Sequence, residues 1–139
     1  MWPKLVGVAL IVEDDPALSR ACTVACKKLG FDAIPVYDVR SAMRALETHR
    51  PTFVSIDLEL PDESGYELCD HVRVALGLTS VPILVTSSRA SLEEMAHAEE
   101  AGANAFLEKP FTMNRFCGYV AALCDAGPAS SPDVLRLRL

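Results

Sequence analysis

The sequence lacks a long apolar segment. Its longest apolar run is LVGVALIV at residues 5–12, whereas a helix that crosses a bilayer needs about 20 such residues. The run has no small-residue cleavage site and leads directly into acidic residues, which argues against a signal peptide. We therefore expect a cytoplasmic protein with no membrane partner.

The sequence also lacks a cluster of basic residues. Its lysines and arginines are scattered, and the formal net charge is −6. An acidic balance disfavours binding to nucleic acid or to an anionic membrane surface. We expect no direct contact with nucleic acid.

Residues that bind transition metals are not grouped in the sequence. His49, His71 and His97 all fall in stretches with helical periodicity. Cys22 and Cys26 are four residues apart, but no histidine or further cysteine lies near them. The five cysteines are an odd number and are expected to be free thiols. We interpret Cys22 and Cys26 as buried small apolar residues.

The chain does show a regular alternation of two patterns. Half of its 139 residues are apolar, which suffices for one domain with a sizeable core. Short apolar runs are separated by longer stretches of helical period, and this alternation predicts an α/β domain with a parallel five-stranded sheet. The runs are LVGVALIV, FDAIPV, FVSI, VPILV and AFL, and the helical stretches are residues 16–29, 39–47, 65–76, 91–101 and 113–124.

The order of the strands follows from their composition. Pro35 in the second run removes a ladder donor and favours an edge position. The fifth run is short and suits the other edge, while runs one, three and four are continuously apolar, as in strands buried on both faces. The order 2-1-3-4-5 fits these features and keeps every crossover right-handed. This arrangement is a flavodoxin-like (βα)5 three-layer sandwich.

The end of the chain has a different character. GPASSPDVLRLRL begins at Gly127 with a Gly/Pro/Ser linker and closes on alternating leucine and arginine. We predict one domain over residues 1–125 and a linker with a tail over residues 126–139. The tail is interpreted as a disordered terminus, with an added strand or the start of a following domain as alternatives.

Polar side chains follow four of the five predicted strands. Ligands of open parallel sheets bind beyond the carboxyl ends of the strands, where the strand order reverses. In the predicted order this point lies between the first and third strands, so these side chains are expected to share one site. They are Glu13 and Asp14 after the first strand, Asp57 after the third, Thr86, Ser87 and Ser88 after the fourth and Lys109 after the fifth.

The chemistry of this set is that of phosphoryl transfer. Three packed carboxylates repel one another unless a cation enters, and their hard oxygen atoms suit Mg²⁺. Asp57 can attack phosphorus as a nucleophile, Lys109 can add a positive charge, and the hydroxyl of Thr86 can donate to the attached group. Taken singly, each residue also has a structural interpretation: Asp14 at a helix start, Lys109 in a turn and Thr86 at a strand end.

Four motifs now make the sequence similar to a known family. ALIVEDDP, IDLELPDESG, VPILVTSS and AFLEKPF occur in this order between about Lys4 and Cys124. With these motifs the chain resembles the receiver domain of two-component response regulators. The resemblance implies that a sensor histidine kinase or a phosphotransfer protein donates a phosphoryl group to Asp57. It implies a signalling domain rather than an enzyme, with only self-phosphorylation and self-dephosphorylation at Asp57.

The resemblance also assigns roles within the site. Mg²⁺ would be held by the side chains of Glu13, Asp14 and Asp57 and by the backbone carbonyl of Glu59. Lys109 would contact the transferred group.

A switch pair is implied as well, formed by Thr86 and Phe106. The hydroxyl would move toward the phosphoryl group, and the aromatic ring would turn inward behind it. The surface of the fourth helix, the fifth strand and the fifth helix would then change its contacts with a downstream protein or a fused output domain, with a homodimer as a further outcome. The alternative for Phe106 is an ordinary core residue.

Glu59 is the main departure from the family pattern, where an uncharged residue is more common. Its side chain is expected near the phosphoryl site, where an anion would repel small anionic donors or orient a hydrolytic water. Together with Ser88, it is predicted to modulate the lifetime of the phosphorylated state. Ser87 is a second departure, because alanine or glycine is usual there.

Three alternatives remain open at this stage. The fourth predicted helix carries four acids, which form either an acidic partner surface or a solvated face. The domain could be a constitutive interaction module that is not controlled by phosphorylation. The pair Asp57 and Glu59 also echoes an aspartate-nucleophile phosphatase, although the motif order is reversed and there is no room for a cap domain. The acids of the fourth helix are Glu93, Glu94, Glu99 and Glu100.

Overall fold

The structure is a computed structural model that describes residues 4–126. Five strands alternate with five helices in this part of the chain, and α3 continues into one π-helical turn over His71–Ala75. The last helix includes Ala126, which was predicted as the first residue of the linker and tail over residues 126–139, and residues 127–139 lie outside the described residues. The elements are β1 (Val8–Val12), α1 (Pro16–Leu29), β2 (Asp32–Val36), α2 (Val39–Thr48), β3 (Phe53–Asp57), α3 (Gly65–Asp70), β4 (Ile83–Ser87), α4 (Leu92–Glu100), β5 (Ala105–Glu108) and α5 (Met113–Ala126).

The strands form one parallel sheet in the order β2-β1-β3-β4-β5, which confirms the predicted topology. Pro35 lies on the edge strand β2, where a missing backbone donor disturbs the sheet least. Every residue of β3 and β4 is buried, as expected for central strands covered on both faces. The reversal of strand order between β1 and β3 opens the crevice in which polar ligands of such sheets bind.

Helices cover both faces of the sheet and divide the core into two clusters. One cluster packs the sheet against α1 and α5, with Phe53 and Phe116 at its centre. The other packs it against α2, α3 and α4, with Leu46 and Leu68 fully buried. These clusters supply the main apolar stabilisation, at about 25 cal/mol for each Å² of apolar surface removed from water.

Cys22 and Cys26 belong to the α1 side of the core, which confirms their interpretation as buried apolar residues. Burial raises the pKa of the Cys22 thiol to about 12, so this thiol stays protonated at neutral pH. Within the described residues, no helix combines the length and the apolar character that a membrane crossing requires.

Candidate functional site

The predicted site residues meet at the carboxyl edge of the sheet. Asp57 is the last residue of β3, and its register partner on β4 is Thr86. Glu13 follows β1 directly, and Lys109 follows β5 directly. Parallel strands end at the same edge, so four segments that are distant in sequence deliver their polar side chains to one place.

Lys109 connects two of the carboxylates. Its ammonium nitrogen lies 3.0 Å from Oε1 of Glu13 and 3.1 Å from Oδ2 of Asp57. Its backbone N–H donates to the carbonyl oxygen of Ser87 at 2.8 Å, which fixes the start of the loop after β5 against the end of β4. A single cation is thus shared between two largely buried anions.

Asp57 is buried, with 2 % of its surface exposed. Its Oδ1 atom accepts a hydrogen bond of 3.0 Å from the backbone N–H of Glu59. Burial, helped by the negative charge of Glu13, raises the pKa of the Asp57 carboxyl well above its usual value, although the Glu59 N–H and Lys109 pull it down. The negative charge of the Asp57 carboxylate is therefore only partly compensated, and a further positive charge nearby would stabilise the ionised form.

The acidic cluster provides a place for that charge. Glu13, Asp14 and Asp57 each offer one carboxylate oxygen, and these atoms lie within 4.8 Å of one another. Asp14 is exposed while the other two are buried, so the cluster is open on one side. An all-carboxylate donor set with an open side fits a hard divalent cation that keeps part of its water shell.

The side chain of Glu59 makes hydrogen bonds that the sequence did not predict. We expected this carboxylate near the phosphoryl site, and in the structure it accepts hydrogen bonds from Ser87 and Ser88, which were predicted to belong to the same site. The Ser87 hydroxyl donates to its Oε2 atom, and the backbone N–H and hydroxyl of Ser88 donate to Oε1 at 3.1 and 3.0 Å. Partial burial opposes ionisation, but these hydrogen bonds hold the pKa of Glu59 below its usual value. The presence of serine rather than alanine or glycine at position 87 was the available signal.

Thr86 and Phe106, the predicted switch pair, are both buried. Thr86 is 3 % exposed, and Phe106 is fully buried in the cluster that also holds Val85. The ring is therefore already inside the core, as in the alternative that treats Phe106 as a core residue. An inward turn of the ring on phosphorylation would first require an outward state, and a phenylalanine ring gains no hydrogen bond there.

The loop between β3 and α3 is fixed by Asp62 and Gly65, for which the sequence predicted no individual role. Both carboxylate oxygens of Asp62 accept hydrogen bonds from the N-terminus of α2, at 3.0 Å from Val39 N and 3.1 Å from Arg40 N. At Gly65, a Cβ atom would lie 2.5 Å from the backbone oxygen of Asp57, so only glycine permits this approach. Asp62 and Gly65 thus position the loop that follows the central carboxylate.

Comparison with known proteins identifies the family. The family model described as the response regulator receiver domain matches residues 9–121. The chain belongs to the response regulator receiver family. Its matched region contains every predicted site residue from Glu13 to Lys109.

Two curated relatives differ in how much of their own length the chain covers. The transcriptional regulatory protein KdpE of Mycobacterium tuberculosis is 31 % identical over 124 residues, which cover 89 % of this chain and 54 % of KdpE. The protein PilG of Pseudomonas aeruginosa is 25 % identical over 113 residues, which cover 81 % of this chain and 84 % of PilG. The chain thus spans about half the length of the first of these relatives and most of the second.

Solved structures show the same fold. The chemotaxis response regulator CheY4 of Vibrio cholerae aligns with a TM-score of 0.80 at 21 % identity, covering 86 % of this chain and 99 % of that one. The chain therefore has the predicted architecture. None of the relatives named here supports the alternative of an aspartate-nucleophile phosphatase.

Proposed function

We propose that the receiver domain accepts a phosphoryl group on Asp57 from the phosphohistidine of a sensor histidine kinase or a phosphotransfer protein. The O–P bond to a carboxylate oxygen of Asp57 forms as the donor's N–P bond breaks. The electron pair of that bond stays with the imidazole nitrogen, which then takes up a proton. The contact between Lys109 and Oδ2 of Asp57 carries this proposal, because it puts a cation at the atom that would attack.

Glu13, Asp14 and Asp57 would hold Mg²⁺ through their side chains, and Glu59 would add its backbone carbonyl. The cation would supply charge compensation for the equatorial oxygens of the phosphoryl group. The open side of the cluster at the exposed Asp14 leaves room for the donor group to approach.

Lys109 and Thr86 would act on the phosphoryl group itself. The ammonium of Lys109, freed from Asp57 Oδ2, can bind a phosphoryl oxygen as a mobile point charge. Thr86 is the register partner of Asp57 on the neighbouring strand, so its hydroxyl can reach a group attached to that carboxylate. Self-phosphorylation and self-dephosphorylation at Asp57 would be the only covalent chemistry of the domain, with Glu59 and Ser88 setting their rates.

Phosphorylation would change the contacts that the surface formed by α4, β5 and α5 makes with a partner. A movement of Thr86 would be passed along β4 to this surface, with the buried Phe106 as the neighbouring packing element. Leu92 at the start of α4 is 81 % exposed and Glu93 follows it, so an apolar anchor beside an acid is available to a downstream protein, a fused output domain or a second copy. A cytoplasmic location and the absence of direct nucleic-acid contact are part of the proposal.

Intact-mass spectrometry tests this function. Incubation with acetyl phosphate and Mg²⁺ should add one phosphoryl group to the parent protein and none to Asp57→Ala. Asp32→Ala serves as a matched control, because it removes an exposed carboxylate at the start of β2, at the edge of the sheet opposite Lys109. If neither acetyl phosphate nor a panel of phosphorylated histidine kinases produced an adduct, the constitutive interaction module would replace the proposed function.

A further inference from the structure

One carboxylate joins the two loops that flank the phosphorylation site. Glu59 belongs to the loop after β3, and its three donors all come from Ser87 and Ser88 at the end of β4. We name these three residues the clasp. The Ser87 hydroxyl also accepts a hydrogen bond of 3.0 Å from the backbone N–H of Arg89, so the clasp extends into the loop that leads to α4.

The clasp acts directly on the segment that contains the proposed switch hydroxyl. Ser87 is the residue after Thr86, and Glu59 is two residues after Asp57. The backbone adds a parallel connection, because the N–H of Leu58 donates to the carbonyl oxygen of Thr86 at 3.0 Å. A backbone movement of Thr86 toward Asp57 is therefore coupled to Ser87 and Ser88, whose donors Glu59 occupies.

Phosphorylation would change the balance of charges at this place. A phosphoryl group brings roughly −1.5 to −2 charges at neutral pH and three strong acceptor oxygens. Attached to Asp57, it would repel the Glu59 carboxylate on the same loop and compete with it for donors on the β4–α4 loop. The two anions cannot both be fully served by the N–H and the two hydroxyls of the clasp.

We propose that the clasp of Glu59, Ser87 and Ser88 holds the β4–α4 loop in its unphosphorylated position, and that a phosphoryl group on Asp57 opens it by taking over its donors. In this arrangement Ser87 and Ser88 are positioning residues for Thr86. Opening the clasp is the local event that shifts the population of the α4–β5–α5 surface. The inference rests on the proposed function and goes beyond it by naming the contacts that favour the unphosphorylated position of the β4–α4 loop.

Loss of one clasp hydrogen bond should make the activated state easier to reach. Ser87→Ala removes a donor to an ionised group, which should strengthen binding of the phosphoryl mimic beryllofluoride, in the presence of Mg²⁺, by about 3- to 10-fold. Ser88→Ala, at an exposed position, should act in the same direction and gives a second variant should Ser87→Ala fold poorly. Ser41→Ala is the matched control, because this serine lies on α2 and contacts Arg44.

A double-mutant cycle ties the effect to Glu59. In Glu59→Gln the negative charge is absent, so adding Ser87→Ala to that background should change beryllofluoride affinity by less than twofold. Amide hydrogen exchange supplies an independent readout. The Ser88 N–H, which donates to Glu59 at 3.1 Å, should exchange faster in Glu59→Gln than in the parent, while the Leu58 N–H should not.

The outcomes separate the two proposals. If the parent binds beryllofluoride and Ser87→Ala binds it equally or more weakly, the clasp does not oppose the switch and the inference is overturned. A Ser88 amide that exchanges at the same rate in parent and Glu59→Gln would overturn it as well. If the parent shows no binding and forms no phosphoryl adduct, the proposed function fails instead, and the exchange rates then report on the clasp alone.

Discussion

The ammonium of Lys109 lies 3.1 Å from Oδ2 of Asp57, although the two residues come from strands that are separated by β4 in the sheet. The loop after β5 therefore has to reach across the end of β4, and the hydrogen bond from the Lys109 N–H to Ser87 O anchors it there. The same ammonium binds Glu13 at 3.0 Å. One side chain thus neutralises part of the charge that two buried carboxylates bring together, and it is in place before any donor arrives.

Replacing Lys109 should slow phosphorylation strongly. In Lys109→Ala the attacking carboxylate and the transferred group lose a charge-assisted contact worth about 1.5–3 kcal/mol, which corresponds to roughly 10- to 100-fold in rate. The rate of adduct formation with acetyl phosphate, followed by intact-mass spectrometry, measures the effect. Lys28→Ala, at an exposed position on α1, should react like the parent. A Lys109→Ala protein that reacts at the parental rate would remove this residue from the site.

The raised pKa of Asp57 predicts a pH dependence of stability in the absence of divalent cations. Burial lifts this pKa from 3.8 in the unfolded chain to about 7 in the folded protein. Between pH 3.8 and about 7 the folded protein binds more protons at Asp57 than the unfolded chain does, so the free energy of unfolding falls as pH rises through this range. The contribution of the protonated Asp57 carboxyl to stability is complete below the unfolded pKa and is lost as pH rises through about 7.

Asp57→Asn tests this dependence because asparagine does not titrate. At about pH 8 the variant should exceed the parent in unfolding free energy by roughly 1–3 kcal/mol, and below about pH 4 the difference should vanish. Urea unfolding in the presence of a chelator, measured across this range, gives both values. A constant difference between parent and variant at all pH values would contradict the raised pKa.

The fold was predictable because its signals are local and repeated. Alternating apolar runs and helical periods predicted all five strands and helices within residues 4–126, and Pro35 predicted an edge strand. Within the site, Asp57 and Lys109 could be predicted to meet because they follow strands of one parallel sheet. Once a residue is placed at the carboxyl end of a strand, the strand order predicts which other strand ends lie next to it.

Contacts that depend on the direction of a side chain were not predictable in this way. Glu59 could reach either toward Asp57 or toward the β4–α4 loop, and the sequence does not show that Ser87 and Ser88 offer three donors in one direction. The role of Asp62 was missed for the same reason, because it caps a helix that precedes it by more than twenty residues. Long-range polar contacts of this kind have no periodic signature in the sequence.

Tyr66 connects α3 to the helix that carries the proposed output surface. Its hydroxyl donates to the carboxylate of Glu94 in α4, and its ring stacks on His97 with a centroid distance of 3.7 Å. Tyr66→Phe keeps the stack and removes only the hydrogen bond, so we expect a loss of about 1 kcal/mol in unfolding free energy and faster amide exchange in α4. Hydrogen exchange detected by mass spectrometry measures the local effect.

The matched control for Tyr66 is Tyr37→Phe. Tyr37 is 51 % exposed, so losing its hydroxyl should change neither stability nor exchange in α4. Equal exchange in the Tyr66 variant and the control would show that α4 is held by apolar packing alone.

Arg73 stabilises the opposite end of α4 through neutral partners. Its guanidinium donates to Gly102 O at 2.8 and 3.0 Å, to Leu78 O at 2.7 Å and to Asn104 Oδ1 at 2.8 Å. The same Asn104 oxygen accepts a hydrogen bond of 2.9 Å from the N–H of Ile83. Arg73 and Asn104 together therefore connect the π-helical turn after α3 with the end of α4 and the start of β4.

Arg73→Met retains the apolar stem but leaves these acceptors without their donor, which should cost about 2–4 kcal/mol in unfolding free energy. Urea denaturation measures this loss. Arg44→Met provides the control, because within residues 4–126 the Arg44 guanidinium donates one hydrogen bond, to the Ser41 hydroxyl at 3.3 Å, and its replacement should change stability by less than about 0.5 kcal/mol. Phosphorylation of Asp57 should proceed in both variants at temperatures where they remain folded, since neither arginine contacts the carboxylate cluster. A loss in Arg73→Met no larger than in Arg44→Met would mean that water replaces the guanidinium at these carbonyls without cost.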